Sequence, residues 1–507
     1  MPERDLYERI IEIAKRRGFF WPSFEIYGGM SGFVTFGDLG TRLRRNIEER
    51  WRDLFIRRQG FLELSTPIIN PSRVFEASGH LAHFKEYLVE CSRCGRRFRA
   101  DQIIEEETGL EYVEGMTVEE MVRIMEEKGV RCPECGGDFK EPIEFMTMFR
   151  TSIGATGKET GYGRPEAAQG MFINFRRGFE LAREKLPFAL AQTGRVLRNE
   201  ISPRKGVIRL REFTIMELEL FFDPEEPGCA RFEEVAEEPV RILSEEMQLK
   251  GVREPVELRL REALEEDLIK TVWQAYFMGL SKRFVAHLGV PPERQRFRAQ
   301  LPEERAHYSA QTYDHEVLLD RWGWVEVAGH AYRTDYDLRA HAEASGLDMT
   351  VLTGRGERVL PHVVEPSFGL ERLTYVSMEY AYRRVKKRTV LSFPRDIAPT
   401  NVTVLPLVTR DGLPEKAREV YRLLLDEGFL VDYDEKGSIG RRYAKADEIG
   451  TPIAVTVDYQ TLEDETVTLR DRDTWRQVRQ KIEMLPGLLR RYLRYQLDFQ
   501  DLGEELK

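Results

Sequence analysis

The sequence predicts an α+β protein of several domains, and three observations carry that expectation. The first is the stretch Thr193 to Phe222, TGRVLRNEISPRKGVIRLREFTIMELELFF. There the β-type residues Val196, Leu197, Ile208, Leu210, Ile215, Leu218 and Leu220 flank the turn cluster Ser202-Pro203-Arg204-Lys205-Gly206, which predicts two strands and a hairpin. The second is a pair of knuckles, Cys91-Ser-Arg-Cys94-Gly and Cys132-Pro-Glu-Cys135-Gly, with 37 residues between them. The third is the alternation of strand and helix from about residue 400 onward, the pattern of a compact α/β unit with a mixed sheet.

The hairpin is unusual in what it carries. Arg198 and Glu200, then Arg209, Arg211, Glu217 and Glu219, recur at period two among apolar residues, so side chains of one parity share a face. Such a face is either solvated or the lining of a site. The knuckles place four thiolates on two tight turns, the arrangement in which Zn²⁺ takes a closed, tetrahedral, structural site. Four free thiols buried as small hydrophobes leave the glycine after each knuckle unexplained, and a redox CxxC needs only one pair. Cys229 has no partner in this scheme.

At 507 residues, 41% hydrophobic and 32% charged, the chain is long enough for two to four domains with large cores. It has no run of 18 apolar residues, and MPERDLYERI reads as the start of a charged amphipathic helix, so no membrane and a cytoplasmic location are expected. A net charge of −10 argues against a protein coated in nucleic acid but leaves room for local RNA contacts.

In chain order, Phe24-Glu-Ile-Tyr-Gly-Gly-Met-Ser-Gly-Phe is a glycine-rich turn segment. A long helix follows from about Gly40 to Arg58, with Leu43, Ile47, Trp51, Leu54 and Phe55 at helical spacing, and then a strand through Gly60-Phe61 to Pro67. Residues 224 to 310 read as helical and highly charged, an insertion with solvated faces. The C-terminal unit is expected as strand 402–408, helix 414–427, a strand, helix 440–450, strands 453–457 and 466–470, and a last helix. From residue 400 on it holds 17 Lys and Arg against 21 Asp and Glu, so any RNA contact there must come from local groups such as Arg441, Arg442 and Lys445.

Leu197-Arg198-Asn199-Glu200, followed by Arg209-Leu210-Arg211-Glu212-Phe213, resembles the second signature motif of the class II aminoacyl-tRNA synthetases. The helix leading into Gly60-Phe61 and Pro67 is similar to the first motif, which in the family forms a dimer interface. Pro361-His-Val-Val-Glu365-Pro-Ser367-Phe-Gly369-Leu-Glu-Arg372 is similar to the third, whose glycine lets a helix approach closely. Three further stretches resemble the archaeal and eukaryotic glycyl-tRNA synthetases. These are Ala77-Ser-Gly-His80; Arg164-Pro-Glu166-Ala-Ala-Gln169-Gly170, with Ala167 where the family has threonine; and Gly329 to Leu338. In the last, His330 and Tyr332 stand where the family more often has an aliphatic and a small polar residue, which would alter the pocket wall.

The resemblance covers nearly the whole chain. It implies an antiparallel-sheet catalytic domain in pieces 1–85, 143–223 and 311–395, a zinc-binding insertion at 86–142, a helical insertion at 224–310 and an anticodon-binding domain at 396–507. It implies ATP-dependent attachment of glycine to tRNA(Gly) by a homodimer. The implied ATP site comprises Arg198, Asn199, Glu200, Ile208, Arg209, Leu210, Arg211, Glu212, Phe213, Glu326, Val327, Gly369 and Arg372, with Arg198 and Arg372 catalytic. Arg198 would meet the α-phosphate, Glu200 the adenine amino group and Phe213 the ring, while Arg209 and Arg372 hold the γ-phosphate. The implied glycine site comprises Arg99, Glu166, Phe213, Glu217, Arg333, Glu365, Ser367 and Gly369. In it Glu166, Glu217 and Glu365 face the ammonium, Arg333 faces the carboxylate and Ser367 closes the pocket. The implied metals are Zn²⁺ on Cys91, Cys94, Cys132 and Cys135, and Mg²⁺ with Glu326 and Glu365 as candidate ligands. Without the motifs, Arg99 reads only as an exposed residue of a zinc ribbon. A synthetase for another small amino acid, such as proline or threonine, or a non-catalytic relative such as the accessory subunit of the mitochondrial DNA polymerase, would share the fold.

Overall fold

The computed structural model describes residues 5–110, 116–155, 157–203 and 206–506; Arg204 and Lys205 of the expected turn cluster lie outside them. Nine strands make the main sheet: β1 (Leu62–Glu63), β2 (Phe188–Leu197), β3 (Glu212–Phe222), β4 (Pro239–Leu243), β5 (Val256–Arg259), β6 (Gln295–Ala299), β7 (Gln311–Leu319), β8 (Gly323–Thr334) and β9 (His362–Gly369). Their spatial order is β5-β4-β6-β7-β8-β9-β3-β2-β1. The pairings are antiparallel except β1–β2 and β4–β6.

Period two decides what each face of this sheet meets. On β3, Met216, Leu218, Leu220 and Phe222 belong to the main core. That core includes Leu43, Ile47 and Trp51 of helix α1 (Asp38–Arg52), Tyr276, Phe277 and Phe284 of α2 (Val272–His287), and Leu373 and Val376 of α3 (Leu370–Ala381). Burying side chains of this size contributes about 1.5–3 kcal/mol each. The opposite parity, Phe213, Ile215, Glu217 and Glu219, points to the other face, where the polar groups collect. Helix α1 continues as a π turn over Asp53–Arg57, so the expected helix is present with its last turn widened.

Two expectations need correction. The second strand of the hairpin begins at Glu212, and Gly206–Ile208 is a 3₁₀ turn, so Arg209 and Arg211 precede the strand. The backbone there is engaged elsewhere: Arg211 N donates to the Gly32 carbonyl at 2.8 Å. Segment 224–310 is not a helical insertion, because it supplies β4, β5 and β6 to the main sheet. Its longest helix, α2, is apolar on nearly every side and buried against that sheet, so it lacks the amphipathic stripe that marks a surface helix. The charges of this segment are largely paired, as in Lys282–Glu238 at 2.9 Å, Arg283–Glu238 at 2.8 Å and Arg259–Glu237 at 2.8 Å.

The cysteine segment forms a three-stranded sheet (Lys85–Glu90, Arg97–Arg99 and Ile143–Met146) covered by helices Ala100–Thr108 and Val118–Glu127. Val89, Phe98, Ile103, Ile104, Met121 and Met125 make its core. Beyond residue 400 a mixed six-stranded sheet runs β11-β10-β12-β13-β14-β15, from β10 (Val402–Pro406), β11 (Val431–Tyr433), β12 (Ile453–Val457), β13 (Thr466–Asp471), β14 (Gln477–Lys481) and β15 (Glu504–Glu505). The helix Leu413–Asp426, helix α4 (Ile439–Ile449) and the helix Leu485–Leu493 stand where the sequence places them.

This unit is bolted to the rest. Buried Arg472 donates to the Gly450 carbonyl at 2.9 Å and to the Phe393 carbonyl at 2.8 Å. Asn46 on α1 donates to the Ala398 carbonyl at 2.9 Å. Arg16 grips both carboxylate oxygens of Glu448 on α4, at 2.8 and 2.6 Å, and Arg17 joins them. Among the described residues no helix is long and apolar enough to cross a membrane.

Candidate active site

The polar face of β3, β8 and β9 forms the floor of a cavity of about 740 Å³, walled on one side by Phe84 to Glu86 and on another by residues 300 to 308. One end is basic and aromatic. Arg198, at the end of the hairpin's first strand, lies with its guanidinium carbon 5.4 Å from the Phe213 ring centroid. Its Nε donates to the Pro165 carbonyl at 3.1 Å, and it has no ion-pair partner among the described residues. A guanidinium without an ion-pair partner, held beside an aromatic ring in a recess, is suited to receive an anion that carries a flat group.

Arg209 and Arg372 flank it but are paired. Arg209 Nε donates to Glu200 at 2.6 Å. Arg372 donates to the Ile208 carbonyl at 2.9 Å, and to both the carbonyl and the carboxylate of Glu326 at 2.8 Å. Burial would raise the Glu326 carboxyl, but Arg372 outweighs it and leaves the group below the usual carboxylate range. At the rim Arg99 meets Glu86 at 2.5 Å and also pairs with Asp101. Burial pushes Glu86 up to about 7, with Arg99 opposing and Glu200 adding to the rise.

Ile208, Leu210, Val327 and Gly369 also line the cavity. A Cβ on Gly369 would meet only the Arg372 side chain, at an ordinary 3.6 Å, so the expected close helix approach does not require a glycine there. Asn199, Arg211 and Glu212 are not brought to the cavity. Asn199 N is bonded to the Thr147 carbonyl at 2.6 Å, Arg211 holds the Glu200 carbonyl at 2.9 Å and the Ser31 carbonyl at 2.7 Å, and Glu212 lies 3.5 Å from Arg195.

The other end is acidic. Glu166, Glu217 and Glu365 line it together with Ser367. The Ala167 N–H donates to Glu217 Oε2 at 2.7 Å and Ser367 Oγ donates to Oε1 at 2.8 Å. Ala167 thus serves through its backbone, while its methyl group packs in a small cluster with Val196 and Ile215. Burial, then Glu365 and Glu166, hold Glu217 well above the usual carboxylate range. Burial likewise raises Glu365, with Arg333 opposing. Glu166 goes the other way: burial would raise it, but His80, with Nε2 at 3.2 Å, and Arg333 hold it well below.

Arg333 does not face the cavity. It is fully buried, and its guanidinium meets Asp337 at 2.8 Å, Glu365 at 2.5 Å and Glu166 at 3.4 Å, with the Tyr308 ring 3.6 Å away on its face. Three carboxylates already take its donors, so it stands as their counter-ion and not as a receptor for a substrate carboxylate. His330 and Tyr332 are not on the pocket wall either. Gly329 and Ala331 line the cavity, so the alternate residues face away. His330 packs on Phe297 and Phe368 in the core, and Tyr332 Oη meets His362 Nδ1 at 2.6 Å.

The two expected Mg²⁺ ligands are also separated. Glu365 pairs with Ala331, five residues along β8 from Glu326, roughly 16 Å at the rise of a strand. Of the two, only Glu326 sits beside Arg372, at the basic end. Four residues escaped sequence reasoning as parts of this site. His80 and Asp337 carry no signal beyond the stretches Ala77–His80 and Gly329–Leu338 in which they fall. Glu219 shows only its period, and Tyr308 lies in the segment that reads as a solvated insertion.

The four cysteines do converge. Cys91 and Cys135 sulfurs are 3.5 Å apart, those of Cys94 and Cys132 are 3.7 Å apart, and all four lie within 4.8 Å of one another. A tetrahedron of thiolates about 2.3 Å from Zn²⁺ has edges of about 3.8 Å, so the set fits that ion. Gly95 and Gly136 have φ of 69° and 68°, the left-handed turn that follows each knuckle and that explains the glycines. In the C-terminal unit Arg442 is unavailable to RNA: it is buried and donates to the Leu407 carbonyl at 3.1 Å, and to that of Pro406. Arg441 is exposed, and Lys445 pairs with Asp434 at 3.1 Å.

Residues 155–380 match the family model "tRNA synthetase class II core domain (G, H, P, S and T)", and residues 401–492 match "Anticodon binding domain". A glycine–tRNA ligase of Aeropyrum pernix is 45% identical over 99% of this chain and 99% of its own. Those of Thermococcus gammatolerans and Pyrococcus furiosus are each 44% identical, over 96% of this chain and 98% and 99% of theirs. A prolyl-tRNA synthetase of Cryptosporidium parvum superposes with a TM-score of 0.56 at 14% identity, over 96% of this chain and 78% of that one, a likeness of fold alone.

Proposed function

The chain belongs to the glycine–tRNA ligases of the class II synthetase family, and on that footing we infer that it attaches glycine to tRNA(Gly) in an ATP-dependent reaction through a glycyl-adenylate. The observation that carries the residue-level reading is the polarity of this cavity, with an unpaired arginine and an aromatic ring at one end and a set of carboxylates at the other.

ATP enters with adenine against Phe213 and the α-phosphate at Arg198. Arg209 and Arg372 exchange Glu200 and Glu326 for the outer phosphates. The glycine ammonium docks between Glu217 and Glu365, which leaves its carboxylate directed toward Arg198. A carboxylate oxygen attacks the α-phosphorus, the P–O bond to the β-phosphate breaks, and pyrophosphate leaves. Arg198 stabilises the charge that builds on the α-phosphoryl oxygens, the role in which a preorganised donor counts most. In the second step a ribose hydroxyl at the 3′ end of the tRNA attacks the activated carbonyl, and AMP leaves with the bonding electrons. When bound, Mg²⁺ would neutralise the phosphates, and Glu326 is the residue we assign to hold it.

The same reading assigns Zn²⁺ to Cys91, Cys94, Cys132 and Cys135 as a closed structural site that keeps Arg99 and Glu86 at the rim. It places a homodimer interface along the α1 region, where Ile68 and Ile69 are exposed, and it places the enzyme with its tRNA in the cytoplasm. It takes 396–507 as the part that reads the anticodon. Amino-acid-dependent exchange of pyrophosphate into ATP, run with each of the twenty amino acids, tests the reading. Glycine is expected to dominate, whereas highest exchange with alanine, serine or proline, or no exchange at all, would overturn it.

A further inference from the structure

Between α3 and the C-terminal unit the chain folds back in a hairpin that no step above uses. Its strands, Tyr382–Val385 and Arg388–Leu391, pair antiparallel with Val385 opposite Arg388, and Lys386-Lys387 makes the turn. The six residues Arg383-Arg384-Val385-Lys386-Lys387-Arg388 hold five cations and no carboxylate, in a chain whose net charge is −10. Arg383, Arg384, Lys386 and Lys387 are exposed. Lys386 stands in the left-handed region with φ of 55°, a conformation that glycine or asparagine adopts at less cost in such a turn. The tip thus keeps a cation against the preference of its backbone, and strain held at one position points to a use for its side chain.

These cations are not neutralised by neighbours. Arg384, Lys386 and Lys387 have no ion-pair partner among the described residues. Arg383 donates to the Tyr380 carbonyl at 2.8 Å and the Tyr382 carbonyl at 3.0 Å. Two acids lie near, Asp447 on α4 and Asp473, and both are paired already, with Arg470 at 2.7 Å and Arg472 at 2.8 Å. Arg388 reaches Asp447 only at 3.6 Å. Beneath the tip lies Trp475, in the turn between β13 and β14, with Lys386, Arg388 and Arg470 at 5.5, 5.2 and 5.7 Å from its ring centroid. The second strand packs on α4, where a Cβ on Gly450 would collide with Phe393 and come within 2.9 Å of the Leu391 carbonyl. Core and C-terminal unit therefore build one basic patch across their joint.

We propose that the hairpin Tyr382–Leu391, backed by Trp475, is a contact surface for the phosphate backbone of the tRNA. The proposal rests on the reading that this chain charges a tRNA. An RNA engaged at both the C-terminal unit and the cavity has to pass the joint between them, and unpaired cations on a fixed hairpin suit a row of phosphates there. Such contacts release counterions and position the RNA without reading its bases. A membrane-bound segment needs an apolar anchor beside its cations, and the tip offers only Val385, 38% exposed.

The experiment measures binding of a tRNA(Gly) transcript to the full chain from about 50 to 200 mM salt, beside glycine-dependent pyrophosphate exchange without tRNA. A triple variant, Arg384→Ala with Lys386→Ala and Lys387→Ala, should bind the transcript about tenfold more weakly and lose about two to three from the slope of log Kd against log salt, while exchange stays within about twofold of wild type. The charge-keeping set Arg384→Lys, Lys386→Arg and Lys387→Arg should bind as wild type does. Lys386→Asn relaxes the turn, so its unfolding midpoint should hold or rise while the salt slope falls by about one; if the triple variant does not fold, Lys386→Asn decides. Wild-type affinity and slope in the variants would overturn the proposal. So would variants that keep tRNA affinity but lose binding to phosphatidylserine vesicles, the mark of a membrane surface. Absence of glycine-dependent exchange in the wild-type chain would sink the reading of its activity, a result separate from RNA binding.

Discussion

Glu217 and Ser367 face each other across β3 and β9, and the serine hydroxyl donates to one carboxylate oxygen while the Ala167 N–H donates to the other. Both oxygens are therefore aimed before any substrate arrives. A carboxylate fixed this way can hold an ammonium with little reorganisation.

The first prediction follows from that arrangement. Glu217→Gln keeps the shape and removes the charge that Glu217 takes on beside a docked ammonium, so the glycine KM should rise about tenfold or more, with the ATP KM nearly unchanged. Steady-state exchange kinetics read both, and equal rises in the two would show that Glu217 serves the cavity as a whole.

Arg198 is the unpaired guanidinium of the ATP end. Arg198→Ala should fold normally and form adenylate about 10²–10³-fold more slowly, the scale of one lost preorganised donor. Single-turnover adenylate formation measures it, and a near wild-type rate would remove Arg198 from catalysis.

The thiolate tetrahedron predicts one zinc per chain. Elemental analysis of metal-replete protein should return close to one equivalent, and less than about half would contradict the site. Cys132→Ser should lower the zinc content and destabilise the small core of Val89, Phe98 and Ile104 before it affects the C-terminal unit.

His330 offers a test in pH. Its ring is fully buried, neither nitrogen has a hydrogen-bond partner among the described residues, and burial pulls its pKa down to about 3, against an ordinary value of 6.5. The folded state refuses a proton that the unfolded state accepts. The contribution of His330 is thus fully present above pH 6.5 and erodes as pH falls toward 3. His330→Leu removes this linkage. Relative to wild type, the variant should gain up to about 1.4 kcal/mol per pH unit below that point. Denaturant unfolding at pH 7, 6 and 5 measures the difference, and parallel curves would refute it.

What the sequence made legible was whatever depends on local spacing. Arg198, Glu200 and Phe213 announced themselves because a charged hairpin at period two is rare, and the cysteines because knuckle spacing is chemical. The fate of the Arg333 side chain was not legible. Its three carboxylate partners come from three separate stretches, and only the fold decides whether they exhaust it. The faces of His330 and Tyr332 depended on register, because one residue of slip on β8 would have turned both into the pocket. The place of segment 224–310 is not legible because α2, buried on nearly every side, has no polar stripe to mark it, and Tyr308 is hidden with it.

The grip of Arg16 and Arg17 on Glu448, the buried bond of Arg472 to Phe393 and the half-buried bond of Asn46 to Ala398 join the two halves of the molecule at several points. Such a joint sets the span between the C-terminal unit and the cavity. On the proposed function, a tRNA held at the C-terminal unit is measured by that joint against the cavity. One seated askew carries the same displacement to the reacting hydroxyl, where about an ångström is enough to cost rate. On that proposal, selection at one end of the RNA becomes alignment at the other.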